Sequence, residues 1–170
     1  LILIDNSVNF EIMNSQGSIL VYIVDDDKMY SEMLKHSIEH SCKEFELHVE
    51  LFIVGETFLR SLDKKPDLVI LDYFLNTKFA EAIDGLEVLK RIKEASPHTK
   101  VVMLTTLNDS KIADKAMENG AYDYVTKDKT AFERIRELVN ETCEKRHSFF
   151  KRMAGFFKSS GRNLAVLESR

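Results

Sequence analysis

Four apolar segments of the chain each run into polar residues suited to ion or phosphate chemistry. Asp25 and Asp26 follow one segment, Asp72 follows a second, and Thr105 and Lys127 follow two more. Carboxylates held together repel each other unless a cation joins them, and oxygen ligands of this kind suit Mg²⁺. A hydroxyl and an ammonium group can donate hydrogen bonds to phosphoryl oxygens. These residue types predict a site in which a carboxylate accepts a phosphoryl group, and Asp72 is the predicted acceptor.

The apolar segments themselves indicate buried strands of an α/β fold. In the clearest of them, Leu68–Asp72, four large apolar residues lead directly into the carboxylate. Such unbroken runs are typical of parallel strands covered on both faces. Helical patterns alternate with the strands, so right-handed crossovers must place helices on both sides of the sheet. The five predicted strands are 19–24, 47–54, 68–72, 100–105 and 121–126.

The intervening helices are predicted from apolar residues spaced three and four positions apart. Asp109 or Ser110 is expected to cap the fourth helix, Asn119-Gly120 to end it, and Thr130 to cap the fifth. The predicted inward-facing residues are Tyr30, Met33, Leu34 and Ile38 in the first helix, Leu86, Leu89 and Ile92 in the third, Ile112, Ala113, Ala116 and Met117 in the fourth, and Phe132, Ile135, Leu138, Val139 and Cys143 in the fifth.

The carboxyl ends of parallel strands share one edge of the sheet, where open α/β folds bind ligands. Neighbouring strands are only about 4.8 Å apart, so polar residues at different strand ends can converge on one ion. Each residue alone has a commoner explanation: paired acids often begin a helix, a threonine often caps a turn, and a lysine is usually solvated. The combination at four strand ends is what predicts the site.

Five segments of the chain form one recognisable pattern: 22–27, Leu68–Asp72, 84–86, 101–105 and 123–127. On this pattern, residues 19–144 resemble the receiver domain of two-component response regulators. The resemblance implies a three-layer flavodoxin-like (βα)5 fold with parallel strand order 2-1-3-4-5. It implies a phosphorylation-activated signalling module, not an enzyme with a separate activity, whose donor is a histidine kinase or a phosphotransfer protein.

The resemblance also implies an acidic Mg²⁺ site. Asp25, Asp26 and Asp72 would form it together with the backbone carbonyl of Phe74, and Asp26 would be a direct ligand. No organic cofactor is implied.

The resemblance assigns the remaining residues to the phosphoryl group and to a switch. Asp72 would be the phosphoacceptor, Lys127 the partner of the phosphate, and Thr105 the switch hydroxyl. Tyr124 would change rotamer on activation. The charge added by phosphorylation would then reshape the face formed by the fourth helix, fifth strand and fifth helix.

Three features depart from the usual receiver pattern. Asp128 follows Lys127, where the family usually has a proline that aims the lysine. The loop that contains residues 76–82 is about five residues longer than usual; it would either contact a partner or be a tolerated surface insertion. Phe74 and Leu107 occupy positions that tune hydrolysis of the acyl phosphate in the family. Neither apolar side chain can orient a water molecule, which predicts slow self-dephosphorylation.

Two other functions are consistent with parts of the pattern. Asp25 and Asp27 have the Asp-x-Asp spacing of haloacid-dehalogenase-like, Mg²⁺-dependent phosphatases, but the chain leaves no room for a cap domain, and Asp72 would have no role. A receiver-like module that binds partners without phosphate is the other alternative. The complete set of acidic residues with Thr105 and Lys127 argues against it.

The predicted organisation is an N-terminal extension over 1–18, a receiver domain over 19–144, and a helical extension or the start of an output region over 145–170. The net charge of −4 argues against nucleic-acid binding unless an output domain is missing. No segment approaches the ~18 apolar residues of a membrane span. Cys42 and Cys143 are far apart in sequence and match no metal spacing, which favours a reducing cytoplasmic setting.

The segment 149–158 is both basic and aromatic. It is predicted either to lie on a membrane surface or a partner as an amphipathic helix, or, as we prefer, to extend the last helix and pack on itself or on a second copy. A homodimer would form through this helix or through the face of the fourth helix, fifth strand and fifth helix.

Overall fold

Strands and helices alternate along the chain, as the apolar pattern predicts. A computed structural model describes residues 18–42, 45–53, 55–75, 84–107 and 109–160. The elements are β1 (Ile19–Val24), α1 (Lys28–Ile38), β2 (Leu47–Phe52), α2 (Gly55–Leu59), a 3-10 turn (Leu62–Lys64), β3 (Leu68–Asp72), α3 (Gly85–Ala95), β4 (Lys100–Thr105), α4 (Ser110–Glu118), β5 (Asp123–Thr126) and α5 (Ala131–Ser160).

The strands form one parallel sheet in the order β2-β1-β3-β4-β5. This confirms the three-layer flavodoxin-like fold. The register pairs Val24 of β1 with Leu71 of β3, and Asp72 of β3 with Leu104 of β4. The three central strands therefore end at nearly the same level. Asp25, which follows β1, is carried next to Asp72.

Two apolar layers cover the sheet, one on each face. Val21 and Ile23 belong to the layer beneath α1 and α5, whereas Tyr22 and Val24 belong to the layer beneath α2, α3 and α4. Successive residues of a strand point to opposite faces, so β1 must be apolar at every position to fill both layers. All five residues of β3 are buried for the same reason.

The prediction that two methionines face the interior is wrong. Met33 is 56% exposed and Met117 is 49% exposed. Met33 directly precedes the buried Leu34, and Met117 directly follows the buried Ala116. Successive helical residues are rotated by about 100° around the helix axis, so the neighbour of a buried residue can face solvent. The buried stripes of α1 and α4 are narrower than the apolar pattern suggests, so these methionines project into solvent.

The predicted ends of α4 are confirmed. The Asp109 side chain accepts the Lys111 N–H at 2.8 Å, and Gly120 has a φ of 87°. Thr130 directly precedes α5, and its carbonyl accepts the Arg134 N–H at 3.0 Å. Its own N–H and hydroxyl donate to Asp128 Oδ1. β2 and β5 are each two residues shorter than predicted.

Cys42 and Cys143 are paired as a disulfide, with their Cα atoms 6.3 Å apart. The pairing removes the argument for a reducing setting that was drawn from these two cysteines, which are separated by 101 positions in sequence. The turn after α1 folds against the inner face of α5, and helices α1 and α5 cover the same face of the sheet. The fold brings together residues that the sequence keeps far apart.

α5 continues to Ser160 without interruption, well past position 144. Phe149, Phe150 and Phe156 are exposed on this extension, although Phe150 also contacts the ring of Phe45, with centroids 6.4 Å apart. Where the domain ends stays a prediction. Residues 1–17 of the predicted extension over 1–18, and the loop insertion at 76–82, lie outside the described residues. None of the described helices is long and apolar enough to cross a membrane.

Gly85 brings α3 close to the end of β3. A Cβ atom at this position would lie 2.3 Å from the carbonyl oxygen of Asp72 and 2.7 Å from the Cα of Tyr73. Backbone atoms cannot move aside cheaply, so we expect Gly85→Ala to lower the free energy of unfolding by about 2 kcal/mol in urea titrations. The control is Gly155→Ala, since a Cβ there meets nothing within 4 Å. Equal stability of the two variants would contradict this prediction.

Candidate functional site

Three carboxylates meet at the carboxyl edge of the sheet. Asp25 and Asp72 are 1% and 4% exposed, and Asp26 is half-buried. One oxygen of each lies within 4.8 Å of one oxygen of the other two, and no other acidic or metal-binding group of this kind occurs in the described parts of the chain. The structure thus brings together the three acidic residues that the sequence singled out.

Lys127 is the cation within this acidic cluster. Its Nζ donates a hydrogen bond to Asp72 Oδ2 at 2.8 Å and lies 2.8 Å from Asp25 Oδ2. The contact with Asp25 is a buried ion pair, and Asp25 Oδ2 has no other partner among the described residues. The backbone N–H of Lys127 donates to the Thr105 carbonyl at 2.6 Å, which fixes the lysine at the end of β5.

The other carboxylate oxygens bind the loops that follow the strands. Asp72 Oδ1 accepts the Phe74 N–H at 3.2 Å, and Asp25 Oδ1 accepts the Asp27 N–H at 2.9 Å. The Asp27 side chain points away from the cluster. It accepts the Tyr30 N–H and thereby caps α1. Asp27 therefore works as a helix cap, and the Asp-x-Asp spacing in this segment does not build a phosphatase site.

Burial and the neighbouring charges together shift the pKa values of Asp72 and Lys127. Burial raises the pKa of Asp72 to about 6, with a further contribution from Asp25, whereas Lys127 acts to lower it. Burial alone would lower the pKa of Lys127, but the two carboxylates outweigh burial and raise it. The lysine is therefore charged and the acidic cluster is only partly neutralised.

Thr105 and Tyr124 are both linked to the backbone of Leu107. The buried Thr105 hydroxyl accepts the Leu107 N–H at 3.1 Å, and the Tyr124 hydroxyl donates to the Leu107 carbonyl at 2.8 Å. The two residues predicted as the switch thus share one peptide segment between β4 and α4. The Leu107 side chain itself is exposed at the rim of the site, as is Phe74.

The acidic cluster fits a hard divalent cation. All its donors are oxygen atoms, two of its carboxylates are almost fully buried, and Lys127 supplies only one positive charge against three negative charges. Such a donor set suits Mg²⁺, which binds through a few carboxylates and keeps several waters. Participation of the Phe74 carbonyl stays a prediction.

Tyr30 is a site residue that the sequence interpretation treated only as core. Lys127 Nζ lies 4.8 Å from the centroid of the Tyr30 ring, on its face. The signal available in the sequence was the position of Tyr30, which follows Asp26 by four residues and lies in the first turn of α1. Nothing in the apolar pattern, however, indicated that β5 would bring a lysine to this ring.

Comparison with known proteins agrees with this geometry. Residues 21–140 match the family model described as the response regulator receiver domain. The chain therefore belongs to the receiver domain family of response regulators, which are activated by phosphorylation. The comparisons give the phosphatase alternative no support.

Individual relatives cover most of the receiver region. The chain is 30% identical over 119 residues to the transcriptional regulatory protein LnrK of Bacillus subtilis, covering 66% of this chain and 49% of that protein. It is 30% identical over 118 residues to the transcriptional regulatory protein TrcR of Mycobacterium tuberculosis, covering 68% and 42%. The chain thus spans about half the length, or less, of these relatives.

Solved structures include the beryllofluoride-activated receiver domain of DrrB, a Thermotoga maritima protein. It is similar to this chain with a TM-score of 0.63 and 30% identity, over 75% of this chain and 99% of that one. A CheY-like receiver domain from Methanospirillum hungatei has a TM-score of 0.64 at 20% identity, over 78% and 98%, and supports the fold.

Removing one buried charge should stabilise the metal-free protein. The pKa of Asp72 is raised from 3.8 to about 6 by folding, so the folded state holds its proton more tightly than the unfolded state does. The contribution of Asp72 to stability therefore falls as the pH rises from about 4 to about 6. We expect Asp72→Asn to raise the free energy of unfolding in EDTA by about 1 to 3 kcal/mol at pH 7.5.

The stability gained by Asp72→Asn should be smaller at pH 4 than at pH 7.5. Urea titrations at these two pH values measure the difference. The matched control is Asp114→Asn, which removes the same charge from the exposed face of α4. A gain of equal size in the control, or a loss of stability in Asp72→Asn at pH 7.5, would contradict the prediction.

Proposed function

We propose that Asp72 accepts a phosphoryl group from a histidine kinase or a phosphotransfer protein in a Mg²⁺-dependent reaction. The observation that carries this proposal is the convergence of Lys127 and the acidic residues Asp25 and Asp26 on the buried Asp72 carboxylate. A nucleophilic carboxylate, a place for a divalent cation and a donor for the phosphoryl oxygens are thus present in one site.

The residues of the site have separate parts in this transfer. A carboxylate oxygen of Asp72 attacks phosphorus, an O–P bond forms, and the N–P bond of the donor phosphohistidine breaks. Asp25, Asp26 and Asp72, with the Phe74 carbonyl, would hold Mg²⁺, which supplies positive charge that offsets the phosphoryl oxygens. Lys127 then shifts its hydrogen bond from Asp72 to a phosphoryl oxygen.

The contacts of Leu107 suggest how the switch operates. When Thr105 turns to donate its hydroxyl to the phosphoryl group, the Leu107 N–H loses its acceptor. The same peptide segment holds the Tyr124 hydroxyl, so its movement frees the tyrosine to change rotamer. The face formed by α4, β5 and α5 changes as a result.

This face and the extension of α5 are the two surfaces that we propose for partners. Either could form a homodimer, the first after phosphorylation and the second through the exposed Phe149 and Phe156 on the continuous helix. LnrK and TrcR are named transcriptional regulators, so nucleic-acid binding would come from an output region and not from this domain. We propose a cytoplasmic signalling protein without a separate enzyme activity.

Phosphorylation at Asp72 can be tested with small donors. With Mg²⁺ and acetyl phosphate, we expect intact mass spectrometry to show one added phosphoryl group, and beryllofluoride to shift NMR signals around Asp72. Asp72→Ala should show neither effect, whereas Asp114→Ala should behave like the wild type. If neither reagent modifies the wild type, the domain is a binding module that works without phosphate.

The apolar rim predicts a long-lived phosphoaspartate. Phe74 offers no group to orient an attacking water, so we expect Phe74→Asn to shorten the half-life of phosphorylated Asp72 about fivefold, the effect of one well-placed hydrogen bond. Loss of the phosphoryl group is followed by mass spectrometry after the donor is removed. Phe74→Leu keeps the position apolar and should keep the wild-type half-life; the same shortening in both variants would refute the explanation.

A further inference from the structure

The ring of Tyr30 contacts the same ammonium group that contacts the proposed phosphoacceptor. Lys127 Nζ lies 4.8 Å from the ring centroid of Tyr30 and 2.8 Å from both Asp72 and Asp25. The Lys127 side chain is only 9% exposed, so ring and carboxylates enclose it almost completely. A cation over the face of an aromatic ring is attracted electrostatically, more so where water is excluded.

The ring itself is held firmly. It packs edge-on against Phe132 of α5, with centroids 5.2 Å apart and an interplanar angle of 79°, and it adjoins the apolar layer beneath α1 and α5. The backbone N–H of Tyr30 donates to the side chain of Asp27 at 3.0 Å. Tyr30 is thus anchored at both its backbone and its side chain.

The hydroxyl of Tyr30 does not account for its position. This oxygen is buried and has no hydrogen-bond partner among the described residues. Burial raises the pKa of Tyr30 to about 12, and nearby carboxylates add to this effect, so the ring stays neutral at physiological pH. What the side chain offers the site is the face of the ring.

The ring of Tyr30 gives Lys127 a contact that phosphorylation of Asp72 leaves unchanged. Lysine has a flexible four-carbon stem, and the following residue is Asp128, whose side chain is engaged in binding Thr130. In the proposed transfer the hydrogen bond to Asp72 passes from the carboxylate to a phosphoryl oxygen, so the direction of this contact changes. The contacts with the ring and with Asp25 do not depend on that exchange.

We propose that the ring of Tyr30 is a positioning element for Lys127, which keeps the ammonium group aimed at the end of β3 before and after phosphoryl transfer. This inference rests on the proposed function of Asp72 and Lys127. Tyr30 acts through Lys127 and touches no reacting atom. It therefore sets the rate of phosphorylation without changing which residue is phosphorylated.

The test compares two substitutions at one position. Tyr30→Phe keeps the ring and removes the unpaired hydroxyl, so it should retain the rate of phosphorylation by acetyl phosphate within about twofold. Tyr30→Leu keeps the apolar contact with Phe132 but removes the ring, and should slow phosphorylation about 3- to 30-fold. If Tyr30→Leu does not fold in urea titrations, Tyr30→Met replaces it.

A second measurement reports the contact directly. In NMR spectra, ring current should shift the Lys127 protons next to Nζ upfield in the wild type and in Tyr30→Phe, and this shift should disappear in Tyr30→Leu. The matched control is Tyr122→Leu, because the Tyr122 ring also contacts lysines, Lys100 and Lys145, but away from the acidic cluster. Its phosphorylation rate should equal that of the wild type.

The outcomes separate the two proposals. A wild type that is not modified at Asp72 would refute the proposed function, although the NMR shift of Lys127 would still test the contact. If the wild type and Tyr30→Leu are phosphorylated at the same rate, the positioning role is refuted and the proposed function is not. A loss in Tyr30→Phe as large as in Tyr30→Leu would show that the hydroxyl, and not the ring, matters.

Discussion

Electrostatic repulsion among buried carboxylates is the constraint on which the rest of the site depends. Asp25, Asp26 and Asp72 are held within 4.8 Å of one another at one edge of the sheet, and two of them are almost fully buried. Lys127 offsets only part of this charge. The site therefore favours the uptake of further positive charge. The proposed phosphorylation of Asp72 depends on this property.

The backbone holds the three carboxylates close together despite their mutual repulsion. β1 and β3 are neighbouring parallel strands whose register puts Asp25 beside Asp72, and all five residues of β3 are buried. Gly85 lets α3 begin directly against the Asp72 carbonyl. Because strand pairing and packing fix these positions, the carboxylates cannot move apart. The crowded charges lower the stability of the folded state, as is common at functional sites.

The structure connects this charge to a surface through few contacts. Thr105 and Tyr124 bind opposite sides of the Leu107 peptide segment, between the end of β4 and the start of α4. Lys127 is joined to the end of β4 by its backbone and to α1 by the ring of Tyr30. In the proposed function, a change at Asp72 would reach α4, β5 and α5 through neighbours that already contact each other.

Much of this protein is determined by its sequence alone. Uninterrupted apolar runs are typical of strands buried on both faces, and in a parallel sheet their ends share one edge, so the apolar pattern by itself places Asp25, Asp26, Asp72, Thr105 and Lys127 together. The tertiary structure alone decided the contact of Lys127 with Tyr30, the pairing of Cys42 with Cys143 and the exposure of Met33 and Met117. The physical reason is that periodicity reports which face of an element is apolar, whereas contacts between distant elements depend on how far each helix is rotated and shifted against the sheet.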